Sequence, residues 1–242
     1  MNQTISEAIT EYCRAHSLTE WAPKAALIDM DGVLYDSMPG HARAWKWLMD
    51  QVGIPCTEEE FFLYEGMTGY ATIQMLAAER LGHELDPAEA RALYARKGAY
   101  FHAQNPRRPM PGAARMLRTL EEHGLKRVLV TGSAQQTLLD SLAHDYPGAF
   151  LPGMMVTALD VTKGKPDPQP YLMGQKKADL PATSCIVVEN APLGCRAGRA
   201  SGSFVVGLTT GPMNADVLKK AGAHIVFPSM EAFADQLPEI LR

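Results

Sequence analysis

Four short stretches gather the side chains that could do chemistry. Asp29-Met-Asp31-Gly32 follows an apolar run at 25–28, and Thr131-Gly132-Ser133 follows another at 128–130. Lys163-Gly-Lys165-Pro-Asp-Pro lies beyond the next apolar stretch, and Glu189-Asn190 closes a fourth. Carboxylates can attack, exchange protons or hold a hard cation. Hydroxyls and a lysine can grip an anion. Singly, each residue has a blander reading: Asp31 or Asp36 could cap a helix, Thr131, Ser133 and Asn190 could serve turns or caps, and Lys165 could be a solvated lysine. Their arrival in this order, each just after an apolar run, points to one shared site.

The elements that position them follow from periodicity. Apolar strands are predicted at 24–29, 127–131, 154–157, 184–189, 203–208 and 224–227, with helical patterns such as 113–123 and 135–143 between them. Strands alternating with helices imply an α/β fold: a Rossmann-like parallel sheet covered on both faces. In such a sheet the ligand site lies at the carboxyl ends of the strands, where all four stretches fall. Residues 38–106 break the rhythm and read as helices at 41–52, 58–64, 70–81 and 87–104. The expected organisation is an N-terminal helical extension at 1–23, a core of 24–37 and 107–242, and a helical cap at 38–106 inserted after the first strand. Met38-Pro39 and the proline-rich stretch 105–112 would be the linkers, the second a semi-rigid hinge. Ile5, Ala8, Ile9, Tyr12 and Cys13 recur at helical spacing, so 3–17 is expected to form a helix packed on the core.

Composition closes off other classes. The chain has 242 residues, 46% apolar and 21% charged, enough to bury a core. A net charge of −4 argues against a nucleic-acid partner. No apolar run approaches the roughly 20 residues that cross a bilayer, and the N-terminus does not read as a secretory signal. Cys13, Cys56, Cys185 and Cys195 form no CxxC pair, so reduced thiols in a cytoplasmic protein are expected. The thirteen methionines read as core filler. No GxGxxG follows the first strand, and Gly164-Lys165 lacks the rest of a Walker-type loop.

The four stretches resemble the motifs of the haloacid dehalogenase superfamily, in its β-phosphoglucomutase-like branch: DMDGVLYDS at 29–37, TGS at 131–133, GKPDP at 164–168 and VVENAPLG at 187–194. The resemblance runs from Lys24 to Arg242 and implies phosphoryl transfer. Asp29 would be the nucleophile, forming an aspartyl-phosphate, and Asp31 the general acid and base. Thr131, Gly132 and Ser133 would hold the transferring group, and Lys165 would supply positive charge. Asp29, the carbonyl of Asp31, Glu189 and Asn190 would hold one Mg²⁺, an ion that prefers oxygen ligands. Asn190 stands where many relatives carry a second acid, so a weaker but working metal site is expected.

The cap decides the substrate. His41 and Lys97 resemble cap residues of β-phosphoglucomutases, the histidine acting on the general acid. In the stretch Tyr64-Glu65-Gly66-Met67-Thr68-Gly69, however, Gly69 stands where those mutases place an arginine for the second phosphate, and Ala134-Gln135 replace a basic residue after Ser133. A glycine cannot clamp a phosphate. The same stretch, with Glu65, Gly66 and Thr68 as substrate contacts, is similar to that of inorganic pyrophosphatases in this branch. The expected activity is therefore Mg²⁺-dependent hydrolysis of a small phosphorylated substrate, pyrophosphate first. Sugar-phosphate hydrolysis, mutase activity and a non-enzymatic ligand-binding role are the alternatives. The protein is expected to be a monomer or weak homodimer.

Overall fold

The computed structural model describes residues 4–104, 108–133 and 136–242. Six parallel strands form one sheet in the order β3-β2-β1-β4-β5-β6: β1 Ala25–Ile28, β2 Lys126–Val130, β3 Met155–Val156, β4 Cys185–Glu189, β5 Phe204–Leu208 and β6 Ile225–Phe227. The chain leaves β1 toward β2 on one side and later returns to β4 on the other. That reversal opens a crevice at the carboxyl end of β1, where such sheets bind ligands.

The strands are buried on both faces because their side chains alternate between two cores. Ala26, Ile28, Leu129, Ile186, Val188 and Val206 face a cluster completed by α1 (Ile5–Ala15), α6 (Ala113–Glu122) and α11 (Met230–Ile240). Ala25, Leu27, Val128, Val130, Val187 and Val205 face the other cluster, covered by α8 (Gln169–Ala178), α9 (Pro192–Ala200) and α10 (Ala215–Lys220). The remaining helix of this part is α7, Gln136–Asp145.

Between β1 and β2 run α2 (Met38–Gln51), α3 (Glu60–Leu63), α4 (Gly69–Leu81) and α5 (Pro87–Gln104). They have a hydrophobic cluster of their own, with Trp45, Leu48, Phe61, Ile73, Leu76 and Leu93 at its centre. Helix α2 starts at Met38, ahead of the expected 41, because Pro39 sits in its first turn, where a missing N–H costs nothing. Part of the expected hinge, residues 105–107, lies outside the described residues, as do Ala134 and Gln135. Among the described residues no helix is long and apolar enough to cross a membrane.

Helix α1 is tied into the first core. Thr4 and Glu7 form a capping box, with Thr4 N donating to Glu7 Oε2 at 2.8 Å and Glu7 N to Thr4 Oγ1 at 3.2 Å. Tyr12 is fully buried and its hydroxyl donates to the Gly202 carbonyl at 2.8 Å. The Tyr12 ring meets the His224 ring edge-on at 5.0 Å, and His224 stacks on Phe204 at 4.8 Å.

His224 Nδ1 accepts from the Val205 N–H at 2.8 Å, and the Arg199 guanidinium faces Nε2. Burial, then the charges of Arg199 and His16, push its pKa down to about 3. The folded chain therefore refuses a proton that the unfolded chain accepts near pH ~6.5. Stability falls as the pH drops from ~6.5 toward 3, by up to about 1.4 kcal/mol per pH unit. Thermal unfolding should shift to lower temperature between pH 6.5 and 5, and His224→Gln should flatten that shift; an unchanged slope in the variant would assign it elsewhere.

Candidate active site

Register brings the reactive residues together. Ile28 pairs with Leu129 on one side and Val188 on the other. The next residue, Asp29, thus sits level with Val130 and Glu189, and its N–H donates to the Val188 carbonyl at 3.1 Å. Beyond it the chain turns tightly at Gly32, whose φ is +78°. Only glycine fits there, because a Cβ would run into the Asn190 amide.

Beneath Asp29 lies a buried ionic cluster. Lys165 Nζ donates to Asp29 Oδ1 at 2.5 Å, to Glu189 Oε1 at 2.5 Å and to the Val130 carbonyl at 3.1 Å, which uses all of its protons. Glu189 Oε1 also accepts from the Tyr171 hydroxyl at 2.6 Å, and Oε2 accepts from the N–H groups of Asn190 and Ala191 at 3.1 and 3.3 Å. Burial pulls the Lys165 pKa down, but Asp29 and Glu189 more than reverse this and leave it above the ordinary lysine range. For Asp29, burial outweighs the opposing pull of Lys165 and pushes the carboxyl up.

Asp31 is held from the cap side. Its Oδ1 accepts from Ser37 Oγ at 2.6 Å and lies 3.2 Å from His41 Nε2. Lys97 Nζ donates to His41 Nδ1 at 2.5 Å, so the ring proton resides on Nε2 and points at Asp31. Phe101 stacks on His41 at 3.9 Å, and Lys97 lies 5.0 Å above the Trp45 ring. Among the anion-loop residues, Thr131 Oγ1 accepts from the Ser133 N–H at 3.1 Å.

The loop carrying Glu65 and Gly66 presses on the other strand ends. A Cβ on Gly132 would come within 3.0 Å of the Gly66 and Met67 carbonyls, and one on Gly66 within 2.9 Å of Lys165 Cδ. Glu65 Oε1 accepts from Asn190 Nδ2 at 2.8 Å. Burial pushes the Glu65 carboxyl well above its usual range; the Asn190 bond opposes this, and the charges of Asp29, Glu189 and Asp31 add to it. Over Asp29 this arrangement leaves a half-open cavity of about 70 Å³ bordered by Asp31, His41, Glu65, Thr131 and Ser133, with Lys97 and Tyr94 on the cap side.

The donor set fits a hard cation. Asn190 Oδ1 is buried with no hydrogen-bond partner, although its amide orientation is set by Glu65. A buried carbonyl left so costs about 1–3 kcal/mol unless a ligand occupies it. Carboxylates crowd the same spot, and Lys165 is the cation in contact with Asp29. Among the described residues no three His, Cys, Asp or Glu side chains form a metal-binding group.

Some expected roles shift. Thr68, expected at the substrate, does not line the cavity; its hydroxyl accepts from Ala71 N–H and caps α4. Both Glu189 oxygens are taken by protein donors, so the residue first positions Lys165 and the 190–191 turn. Lys165 lies below Asp29, not in the cavity wall. Sequence reasoning did not single out Ser37, Tyr94 or Tyr171. A signal for Tyr94 existed: it shares one face of α5 with Lys97 and Phe101, at i, i+3 and i+7.

A family profile for haloacid dehalogenase-like hydrolases matches residues 23–202, and the chain belongs to that family. It is 30% identical to validoxylamine A 7'-phosphate phosphatase of Streptomyces hygroscopicus subsp. limoneus, over 85% of this chain and 97% of that one. It is 29% identical to hexitol phosphatase A of Escherichia coli K12, over 86% of this chain and 92% of the other. A solved structure from Bacteroides vulgatus, provisionally assigned as a β-phosphoglucomutase, superposes with a TM-score of 0.94 at 40% identity, covering 99% of this chain and 98% of its own. The chain is an enzyme of this kind, a phosphate-ester hydrolase or phosphotransferase of the β-phosphoglucomutase-like branch.

The ionic cluster makes a prediction of its own. Lys165→Met leaves Asp29 and Glu189 buried together without their cation, and breaking such a pair costs about 3–5 kcal/mol. Chemical denaturation should show a loss of that size at neutral pH, smaller in mild acid, where the carboxyls take up protons. A loss below about 1 kcal/mol would mean that water already screens the pair.

Proposed function

We propose that this enzyme hydrolyses a compact phosphate, inorganic pyrophosphate foremost, by two-step transfer through Asp29 with Mg²⁺ bound. The observation that carries the reading is Glu65, whose carboxylate Asn190 holds at the edge of the cavity over Asp29. A carboxylate there repels an anionic substrate unless a cation lies between them. Gly69 adds no positive charge, and the space beside it is filled by the Tyr94 ring.

Asp29, the Asp31 carbonyl and Asn190 Oδ1 would hold the ion. When bound, it offsets charge on the phosphoryl oxygens and on Asp29. An Asp29 oxygen attacks phosphorus as the bond to the leaving oxygen breaks, and Asp31 gives that oxygen its proton. Ser37 and His41 both converge on Oδ1 of Asp31, so the labile proton belongs on Oδ2. Thr131, Gly132 and Ser133 hold the transferring group. Asp31 then takes a proton from water, which attacks the phosphorus and frees Asp29.

A second reading is hydrolysis of a sugar or polyol phosphate, favoured by the relatives named for hexitol and validoxylamine phosphates. A Mg²⁺-dependent phosphate-release assay over pyrophosphate, hexitol phosphates and glucose phosphates decides between the two. Robust sugar-phosphate turnover with none on pyrophosphate would overturn the first.

Asp29→Asn should abolish turnover with the fold intact by circular dichroism; more than a few per cent of residual activity would sink the covalent route. Asp31→Asn should lose about 10²–10⁴-fold in hydrolysis, the usual worth of general acid–base help. Glu65→Gln should lower kcat/KM for pyrophosphate by about tenfold, or about 1.4 kcal/mol, and affect an aryl phosphate far less. Equal losses on both substrates would reduce Glu65 to a shaper of the cap.

A further inference from the structure

The turn that carries Asp31 is tied to its surroundings at both ends. At its start the Asp29 N–H donates to the Val188 carbonyl at 3.1 Å. At its end the Met110 N–H and the Tyr146 hydroxyl both donate to the Leu34 carbonyl, at 2.8 and 2.5 Å. A further tie falls in the middle, next to Asp31 itself. The hydroxyl of Thr210, in the segment after β5, donates to the Gly32 carbonyl at 2.5 Å, although 178 residues separate the two. Gly32 is where such a tie matters. Its φ of +78° is one that glycine reaches freely and also leaves freely, so the residue does not hold the turn by its own stiffness.

The segment that bears Thr210 is itself braced. The Thr209 N–H donates to the Phe227 carbonyl at 3.0 Å, and the Thr209 hydroxyl to the Pro228 carbonyl at 3.2 Å, which fixes the segment to the end of β6. Further on, Asn214 Oδ1 accepts from the Val217 N–H at 3.1 Å and caps α10. Between these anchors Gly211 lies against Phe62 of α3, whose ring would stand 3.6 Å from a Cβ at that position. Thr210 therefore reaches the catalytic turn from a support held on both sides.

We infer that Thr210 is a positioning residue for Asp31: by holding the Gly32 carbonyl it fixes the backbone from which the acid reaches the leaving oxygen. The inference rests on Asp31 as the general acid of the proposed reaction. Ser37 and His41 orient the Asp31 carboxyl about its own bonds. Thr210 sets where those bonds begin. Without its hydroxyl, Gly32 is free to rotate and the carboxyl stands less well against the leaving oxygen. Asp29 does not follow, because Lys165 and β4 hold it independently. The loss thus falls on proton donation and spares nucleophilic attack.

The test uses full-length wild type, Thr210→Val, Thr210→Ser and Asp31→Asn, each checked by thermal melting, with Mg²⁺ present. Thr210→Ala replaces the valine variant if that one does not fold. The readout is kcat/KM, which reports transfer to Asp29, for phenyl phosphate and dinitrophenyl phosphate. The first leaves as a poor anion that needs a proton, the second as a good one that does not. Methyl and acetyl phosphate form the equivalent pair if the site admits no ring. Thr210→Val should lose about tenfold on the poor leaving group, a part of what a placed acid supplies, and less than about twofold on the good one. Thr210→Ser keeps the hydroxyl and should restore the wild-type ratio. Added to Asp31→Asn, Thr210→Val should cost less than about twofold on the poor leaving group, since no acid is left to place. Equal losses on both substrates, no loss on either, or a full further loss in the Asp31→Asn background would overturn the inference. Asp31→Asn is itself expected to lose mainly on the poor leaving group. Equal loss in that variant would refute the acid role proposed above, whereas the expected pattern there without it in Thr210→Val would refute this inference alone.

Discussion

A single ammonium group organises the active site. Lys165 Nζ lies 2.5 Å from one oxygen of Asp29 and 2.5 Å from one of Glu189, with its side chain 1% exposed. Two carboxylates could not share that space unpaired, because ionising both in a poorly solvated interior is prohibitive. The lysine thus ties the ends of β1 and β4 to the loop after β3. Tyr171 and the 190–191 backbone saturate Glu189, which keeps the lysine from drifting. The result is a nucleophile whose position is set from below while its upper side faces the cavity.

The cap answers this cluster from above. Gly66 and Gly132 let the Glu65 loop lie directly on the strand ends, where any Cβ would hold the surfaces apart. Glu65 and Asn190 then link cap to core by one hydrogen bond at 2.8 Å, while Lys97, His41 and Ser37 steer Asp31. Acids therefore approach the site from both bodies. The burial that pushes Asp29 and Glu65 up and the orphaned Asn190 oxygen share a remedy, a cation among these oxygens. On the proposed account, closure and metal binding support one another for this reason.

Much of this was legible in the chain. The strands read clearly because each buried run ends in a polar residue at the same edge of the sheet, so Asp29, Thr131 and Glu189 announced their shared location. Glu65 stood out as a carboxylate set against an anionic substrate. Other partners were not legible. Thr68, expected at the substrate, caps α4 through the Ala71 N–H. Glu189 reads as a metal ligand from its strand end; that Tyr171, 18 residues away on α8, also bonds it is not visible in the sequence. Ser37 acts across a loop whose approach no local pattern encodes, while Tyr94 was legible only through the α5 face it shares with Lys97 and Phe101.

Chemical trapping tests the central claim most directly. Wild-type enzyme turning over its best substrate with Mg²⁺ is quenched in acid within milliseconds, digested and mapped by mass spectrometry. The account predicts a phosphoryl group on the peptide that carries Asp29, lost in alkali as acyl phosphates are and absent in Asp29→Asn. Enzyme quenched in mid-turnover with no such group, or with it on Thr131 or Ser133, would contradict the account.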